Sequence, residues 1–216
     1  MVIYKSILNN EKVETVIEKS KFVAYTKPVE TREEAIEFIN ECKNSNKTAN
    51  HNVPAFVIGE KQELQWCSDD GEPQGTAGQP ILKLITTEGL TNIVLVVSRY
   101  FGGTKLGTGG LVRAYSGIAK DAINKAQICE VSMGKIIEIK SDYKDFQKIM
   151  QNSEKGKYIV ENQVFGQDIN AKLITEWENS DKLIQELADL TNGRFIIISE
   201  SERLIKIGID NKNTVC

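Results

Sequence analysis

Histidine is nearly missing from this sequence: His51 stands alone among 216 residues, and the four cysteines, Cys42, Cys67, Cys129 and Cys216, are widely spaced with no CxxC pair. Structural zinc sites draw on clustered Cys and His, so no metal centre is expected, and scattered cysteines fit a reduced compartment better than a disulfide framework. No segment approaches the ~18 consecutive apolar residues of a membrane span, and the first six residues lack the apolar stretch of a signal peptide. A cytoplasmic protein without membrane association is the expectation. No low-complexity tract or Pro/Ser linker marks a boundary. With 27 basic against 30 acidic side chains the net charge is −3, which excludes coating nucleic acid by bulk charge. Any such contact must be local.

What is present is enough for a folded chain: 40% hydrophobic and 26% charged residues over a length that supports one large core or two smaller ones. Thr31-Arg32-Glu33-Glu34 has the form of a capping box. Behind it Ala35, Phe38, Ile39 and Cys42 fall on one helical face. Residues 4–8, 14–17 and 22–25 before this helix, and 53–58 and 64–67 after it, read as short strands. Residues 93–97 form a continuous apolar run, suited to a strand buried on both faces. A glycine-rich turn follows, and then a helix carrying Leu111, Ala114, Tyr115, Ile118, Ala119 and Ala122 at helical period. Beyond Cys129 the order is a strand at 136–139, a helix with Tyr143, Phe146, Ile149 and Met150 on one face, two strands around Gly166, a helix with Leu183, Leu187 and Leu190, and a strand at 195–199. That order is βαββαβ, the ferredoxin-like pattern, and a separate strand at 204–209 is read after it. The fold class is α+β, with domains at 1–130 and 131–216 and a boundary near 130–134.

The densest glycine cluster is Arg99-Tyr100-Phe101-Gly102-Gly103-Thr104-Lys105-Leu106-Gly107-Thr108-Gly109-Gly110-Leu111. Glycines beside a helix start permit positive φ and leave backbone N–H groups uncovered, an arrangement suited to an anion. The spacing is neither a Walker loop nor GxGxxG, so nucleotide binding and a cofactor are not indicated. Between Glu88 and Asp121 there is no acidic residue, while Arg99, Lys105, Arg113 and Lys120 fall inside. A local cationic patch follows, and Tyr100 and Phe101 offer rings that can stack on a base. The alternative is a tight turn with the aromatics in the core.

The second cluster, Ser68-Asp69-Asp70-Gly71-Glu72-Pro73-Gln74-Gly75-Thr76-Ala77-Gly78-Gln79-Pro80, precedes a short helix expected at 81–85. Three carboxylates can hold a hard cation or act as acid and base, yet the EF-hand spacing is absent and such residues are ordinary turn formers. His51 is a candidate base, but no Ser or Cys sits in a nucleophile motif. A hydrogen-bonded structural histidine is the other reading.

These two clusters, the first extended from Val97 through Tyr115, resemble the signature of the IMPACT family, whose bacterial members are called YigZ. Ala49-Asn50-His51-Asn52 is similar to the family's His-containing strand entry. The resemblance implies a ribosomal protein S5 domain 2-like fold, as in domain IV of elongation factor G, followed by a ferredoxin-like domain similar to domain V of that factor. Eukaryotic relatives regulate translation initiation by competing for the activator of a stress kinase. The two-domain layout resembles the bacterial form, for which binding to RNA or the ribosome is implied. Val53 stands where relatives often carry Cys, and Gln79 where a basic residue is common. The second change weakens an anion site there and shifts the expectation to Arg99, Lys105 and Arg113.

Three functions follow as expectations. The first is a non-catalytic module binding RNA or the ribosome through Arg99, Tyr100, Phe101, Gly102, Gly103, Lys105, Gly107, Gly109, Gly110 and Arg113. The second is a regulator that contacts translation-associated proteins without RNA. The third is an enzyme using His51 with Asp69, Asp70 or Glu72, which requires those groups to converge.

Overall fold

The computed structural model describes residues 2–208, so Cys216 and the end of the strand expected at 204–209 lie outside it. The fold is α+β and divides into two compact units. One is Tyr4–Cys129; the other holds the described residues from Glu130 onward together with Val2 and Ile3. No helix among the described residues is long and apolar enough to cross a membrane.

The N-terminal part contains β1 (Val2–Ile7), β2 (Glu11–Ile17), β3 (Ser20–Pro28), α1 (Arg32–Ser45), β4 (His51–Ile58), β5 (Leu64–Cys67), α2 (Gly78–Thr87), β6 (Ile93–Tyr100) and α3 (Gly107–Ala126). Its sheet has the order β2-β3-β6-β4-β5, antiparallel at every step. β6 lies at the centre, and its apolar run is explained by burial on both faces. Ile93, Leu95 and Val97 pack with Ile81 and Ile85 of α2 and with Leu111, Tyr115 and Ile118 of α3. Val94 and Val96 face Ala35, Ile39 and Cys42 of α1.

Thr31 caps α1, its hydroxyl accepting from the Glu34 N–H at 3.2 Å, while the Glu34 carboxylate takes the Glu30 N–H at 2.8 Å. The box therefore closes one residue upstream of its usual partner. α2 begins three residues earlier than the apolar run at 81–85 suggests, because a distant side chain satisfies its first N–H groups.

The C-terminal unit runs β7 (Ile128–Ser141), α4 (Tyr143–Ser153), β8 (Ile159–Phe165), β9 (Ile169–Glu176), α5 (Ser180–Thr191) and β10 (Ile196–Gly208). Strand order is β1-β7-β9-β8, and β10 also pairs with β7. Ile137 and Ile139 of β7 meet Ile149 of α4 and Leu183 and Leu187 of α5 in its core. Asp142 caps α4 by accepting from the Asp145 N–H at 2.7 Å. Asp145 itself is inaccessible and takes both Arg194 and Lys148, which hold its pKa down at about 2.

The division between units falls between Cys129 and Glu130, within β7. One sequence expectation changes. The strands read at 195–199 and 204–209 are one strand, because the polar residues between them are not a turn. Glu200 pairs with Lys135 at 2.5 Å and Arg203 with Glu161 at 3.1 Å.

Candidate functional site

The antiparallel register sets one row of side chains across three strands: His51 of β4 lies opposite Arg99 of β6, which lies opposite Phe22 of β3. Arg99 follows Ile93, Leu95 and Val97 at the strand period of two, so it points to the same buried face. It is only 5% exposed, and a buried guanidinium demands a partner. Glu72 supplies it, with Oε1 2.7 Å from Arg99 Nη1. The same oxygen accepts the Tyr115 hydroxyl of α3 at 2.8 Å and lies 3.9 Å from His51 Nε2. Burial, and then the adjacent Glu72 charge, raise the pKa of Tyr115 above its ordinary value, so its hydroxyl remains a donor. Phe22 and Phe101 each hold a ring centroid 5.5 Å from the Arg99 guanidinium carbon.

His51 Nδ1 is 2.8 Å from the Asp70 carbonyl oxygen. A carbonyl can only accept, so Nδ1 carries a hydrogen and Nε2 is the nitrogen turned toward Glu72. The acidic turn bends at Asp70 (φ 47°) and Gly71 (φ 87°). Asp70 takes the Asn52 N–H at 2.6 Å and Lys43 Nζ at 3.3 Å. Asp69 accepts three backbone N–H groups, from Gly75 at 2.7 Å, Ala77 at 3.1 Å and Gly78 at 2.8 Å, and so caps α2 from nine residues upstream. Partial burial opposes the charge on Asp69, yet those bonds outweigh it and its pKa falls below the ordinary carboxylate value.

The structure thus brings the side chains of His51 and Glu72 together, joins Asp70 to His51 only through its backbone carbonyl, and uses Asp69 as a cap. It moves Arg99 out of the exposed cationic set: this arginine is a buried partner of Glu72. Tyr100 is also committed, its hydroxyl donating to Asn46 Oδ1 at 2.8 Å. Sequence reasoning missed Tyr115 as part of the cluster, counting it as an apolar residue of α3. The signal was available, since a phenol in a buried stripe needs an acceptor.

The remaining residues of the glycine-rich loop stay at the surface. Phe101, Gly103, Lys105, Gly107, Gly109 and Arg113 are exposed. Gly103 (φ 88°) and Gly107 (φ 68°) need glycine's freedom, whereas Gly109 and Gly110 lie in the first turn of α3. Gly102 serves packing, because a Cβ there would collide with the Lys19 carbonyl. The first turn of α3 has no side-chain cap and no acidic residue. Arg113 Nη1 lies 3.5 Å from where a Cβ on Gly109 would stand, placing its guanidinium against that turn. Gln79 is exposed and donates to Cys67 Sγ at 3.3 Å. Among the described residues no group of three or more His, Cys, Asp and Glu side chains is arranged to hold a metal ion.

The Impact N-terminal domain matches residues 18–123, and a domain of unknown function, DUF1949, matches residues 139–194. The IMPACT family member YvyE of Bacillus subtilis is 35% identical over 84% of this chain and 83% of its own length. The chain belongs to the IMPACT family. The family extends to yeast: the Protein IMPACT homolog of Saccharomyces cerevisiae is 36% identical over 41% of this chain and 35% of that protein. A crystal structure described as that of an hypothetical protein covers 93% of this chain and 95% of its own, with a TM-score of 0.57 and 26% identity.

Proposed function

We propose that this IMPACT family member is a non-catalytic, translation-related regulatory protein of the cytoplasm that engages RNA, free or within the ribosome, through the glycine-rich face of its N-terminal unit. One observation carries the reading: the first turn of α3 is uncapped and glycine-rich, with exposed Lys105 and Arg113 beside it and no acid in the first turn. Exposed N–H groups at the positive end of a helix, flanked by cations, suit a phosphate. We assign the N-terminal unit to the ribosomal protein S5 domain 2-like fold and the C-terminal unit to the ferredoxin-like fold. The βαββαβ order and the pairings β10-β7-β9-β8 support the second assignment.

The experiment is RNA binding by wild type and Lys105→Ala across a salt series. Loss of one phosphate contact lowers the slope of log affinity against log salt by about 0.7 for a single strand. Equal slopes remove Lys105 from the site, and no binding by wild type favours the protein-interaction reading.

A catalytic reading has the approach of His51 to Glu72 behind it, with Nε2 of His51 free of the hydrogen bond to the Asp70 carbonyl that fixes its ring. Against it, Glu72 is nearly inaccessible and already accepts Arg99 and Tyr115. The arrangement reads as a structural clamp. Hydrolytic activity on RNA that His51→Ala abolishes would reverse that preference.

A further inference from the structure

The surroundings of Phe101 set it apart from the other residues of the glycine-rich loop. Phe101 is 47% exposed, although its backbone is tightly constrained. The Phe101 N–H donates to Asn50 Oδ1 at 2.8 Å, and the Asn50 N–H donates to the Arg99 carbonyl at 2.8 Å. The Gly102 N–H donates to Ser20 Oγ at 3.3 Å, and Gly102 packs so closely under the Lys19 carbonyl that no side chain fits. The start of β3 and the residue before β4 therefore hold the two residues that follow β6.

Beneath the ring lies the Arg99 guanidinium, 5.5 Å from its centroid, with its charge compensated by Glu72 and its other aromatic neighbour, Phe22, buried in the core. Arg99 thus positions Phe101 and leaves phosphate contacts to the exposed cations. Tyr100, the other ring of the loop, is tied to Asn46 and cannot turn outward without losing that bond. A single aromatic ring is presented from a fixed backbone, four residues before Lys105 and six before the start of α3.

We propose that Phe101, propped on Arg99, is a stacking platform for an unpaired base, so that this face takes single-stranded RNA in preference to duplex. The inference rests on the RNA-binding reading above. In a duplex the base faces are covered by their neighbours, and only an unpaired nucleotide can offer its π-face to the ring while its phosphate reaches Lys105 and α3. A flexible or solitary surface Phe would need no such support.

The test compares binding of a fluorescent oligoadenosine dodecamer and of an RNA duplex of equal length by wild type, Phe101→Leu and Phe101→Trp. Leucine keeps an apolar cover over Arg99 and removes the π-face, so folding is preserved where alanine would uncover the guanidinium. Wild type is expected to prefer the single strand. Phe101→Leu should weaken single-strand binding roughly five-fold or more with an unchanged salt slope and unchanged duplex binding, and Phe101→Trp should restore it. Equal single-strand affinity for Phe101→Leu and wild type, or a wild-type preference for duplex, overturns the platform. If Lys105→Ala still lowers the salt slope in that case, the RNA-binding reading survives alone. No binding of either RNA by wild type overturns both.

Discussion

Two glycine-rich loops of the N-terminal unit each lead into a helix, the acidic turn into α2 and the basic loop into α3, and they treat their charges in opposite ways. In the turn, Asp69 accepts three N–H groups, Asp70 accepts Asn52 and Lys43, and Glu72 is buried between Arg99 and Tyr115. In the loop, Lys105 and Arg113 stay exposed, and neither forms an ion pair among the described residues. Only Arg99 crosses over, leaving the basic stretch to serve the acidic turn. Charge of one sign beside glycine therefore has no single meaning. Carboxylates that can reach backbone donors and a buried cation hold the fold together; cations on an exposed helix start stay in solvent.

The sharpest test is Glu72→Ala. Removing one member of a buried pair strands the other, so a loss of about 3–5 kcal/mol is expected by denaturant unfolding. A loss under about 1 kcal/mol would put the turn on the same footing as the exposed loop. Next, Gly102→Ala should cost about 1–3 kcal/mol through its collision with the Lys19 backbone, whereas Gly103→Ala, with open space around it, costs about 1 kcal/mol for the positive φ alone. Equal melting temperatures for the two variants would contradict that separation.

Asp69→Ala should remove about 1 kcal/mol, the usual scale for an N-cap. Because the folded pKa of Asp69 is lowered, its contribution is full above the ordinary carboxylate range and fades as pH falls through the lowered value. Asp145 in the C-terminal unit has the same sign, with its share lost as pH falls from about 4 towards about 2. The acid limb of a stability-against-pH curve should therefore flatten in Asp69→Ala and keep the Asp145 contribution. The smallest effect belongs to Lys105→Ala, within about 0.5 kcal/mol of wild type; a larger shift in denaturation midpoint would mean that the loop's cations are structural too.

Much of the fold was readable because its strongest patterns are local. The run at 93–97 is apolar on both strand faces and lies at the centre of a five-stranded sheet, and the stripe from Leu111 to Ala122 is the buried side of α3. The candidate site was readable only in part. Arg99 looked like a surface cation since its neighbours in sequence carry no acid, and its partner comes from 27 residues away. The strand period pointed inward, a signal that charge alone concealed. β10 was divided in reading because its solvent-facing Glu200 to Arg203 segment resembles a turn, while in the structure long-range ion pairs use those residues.

The carboxylate of Asp69 gives the two flanking helices different histories. α1 carries Thr31 and Glu34 at its own threshold, so its first turn can be satisfied as soon as that stretch of chain exists. α2 has no such residue at its start, and its first donors wait for a side chain that arrives only when the turn has closed. In a chain emerging in order from its N-terminus, α1 carries its own cap from the start although its apolar face still awaits β6, and α2 records that residues 68–78 have already found their shape.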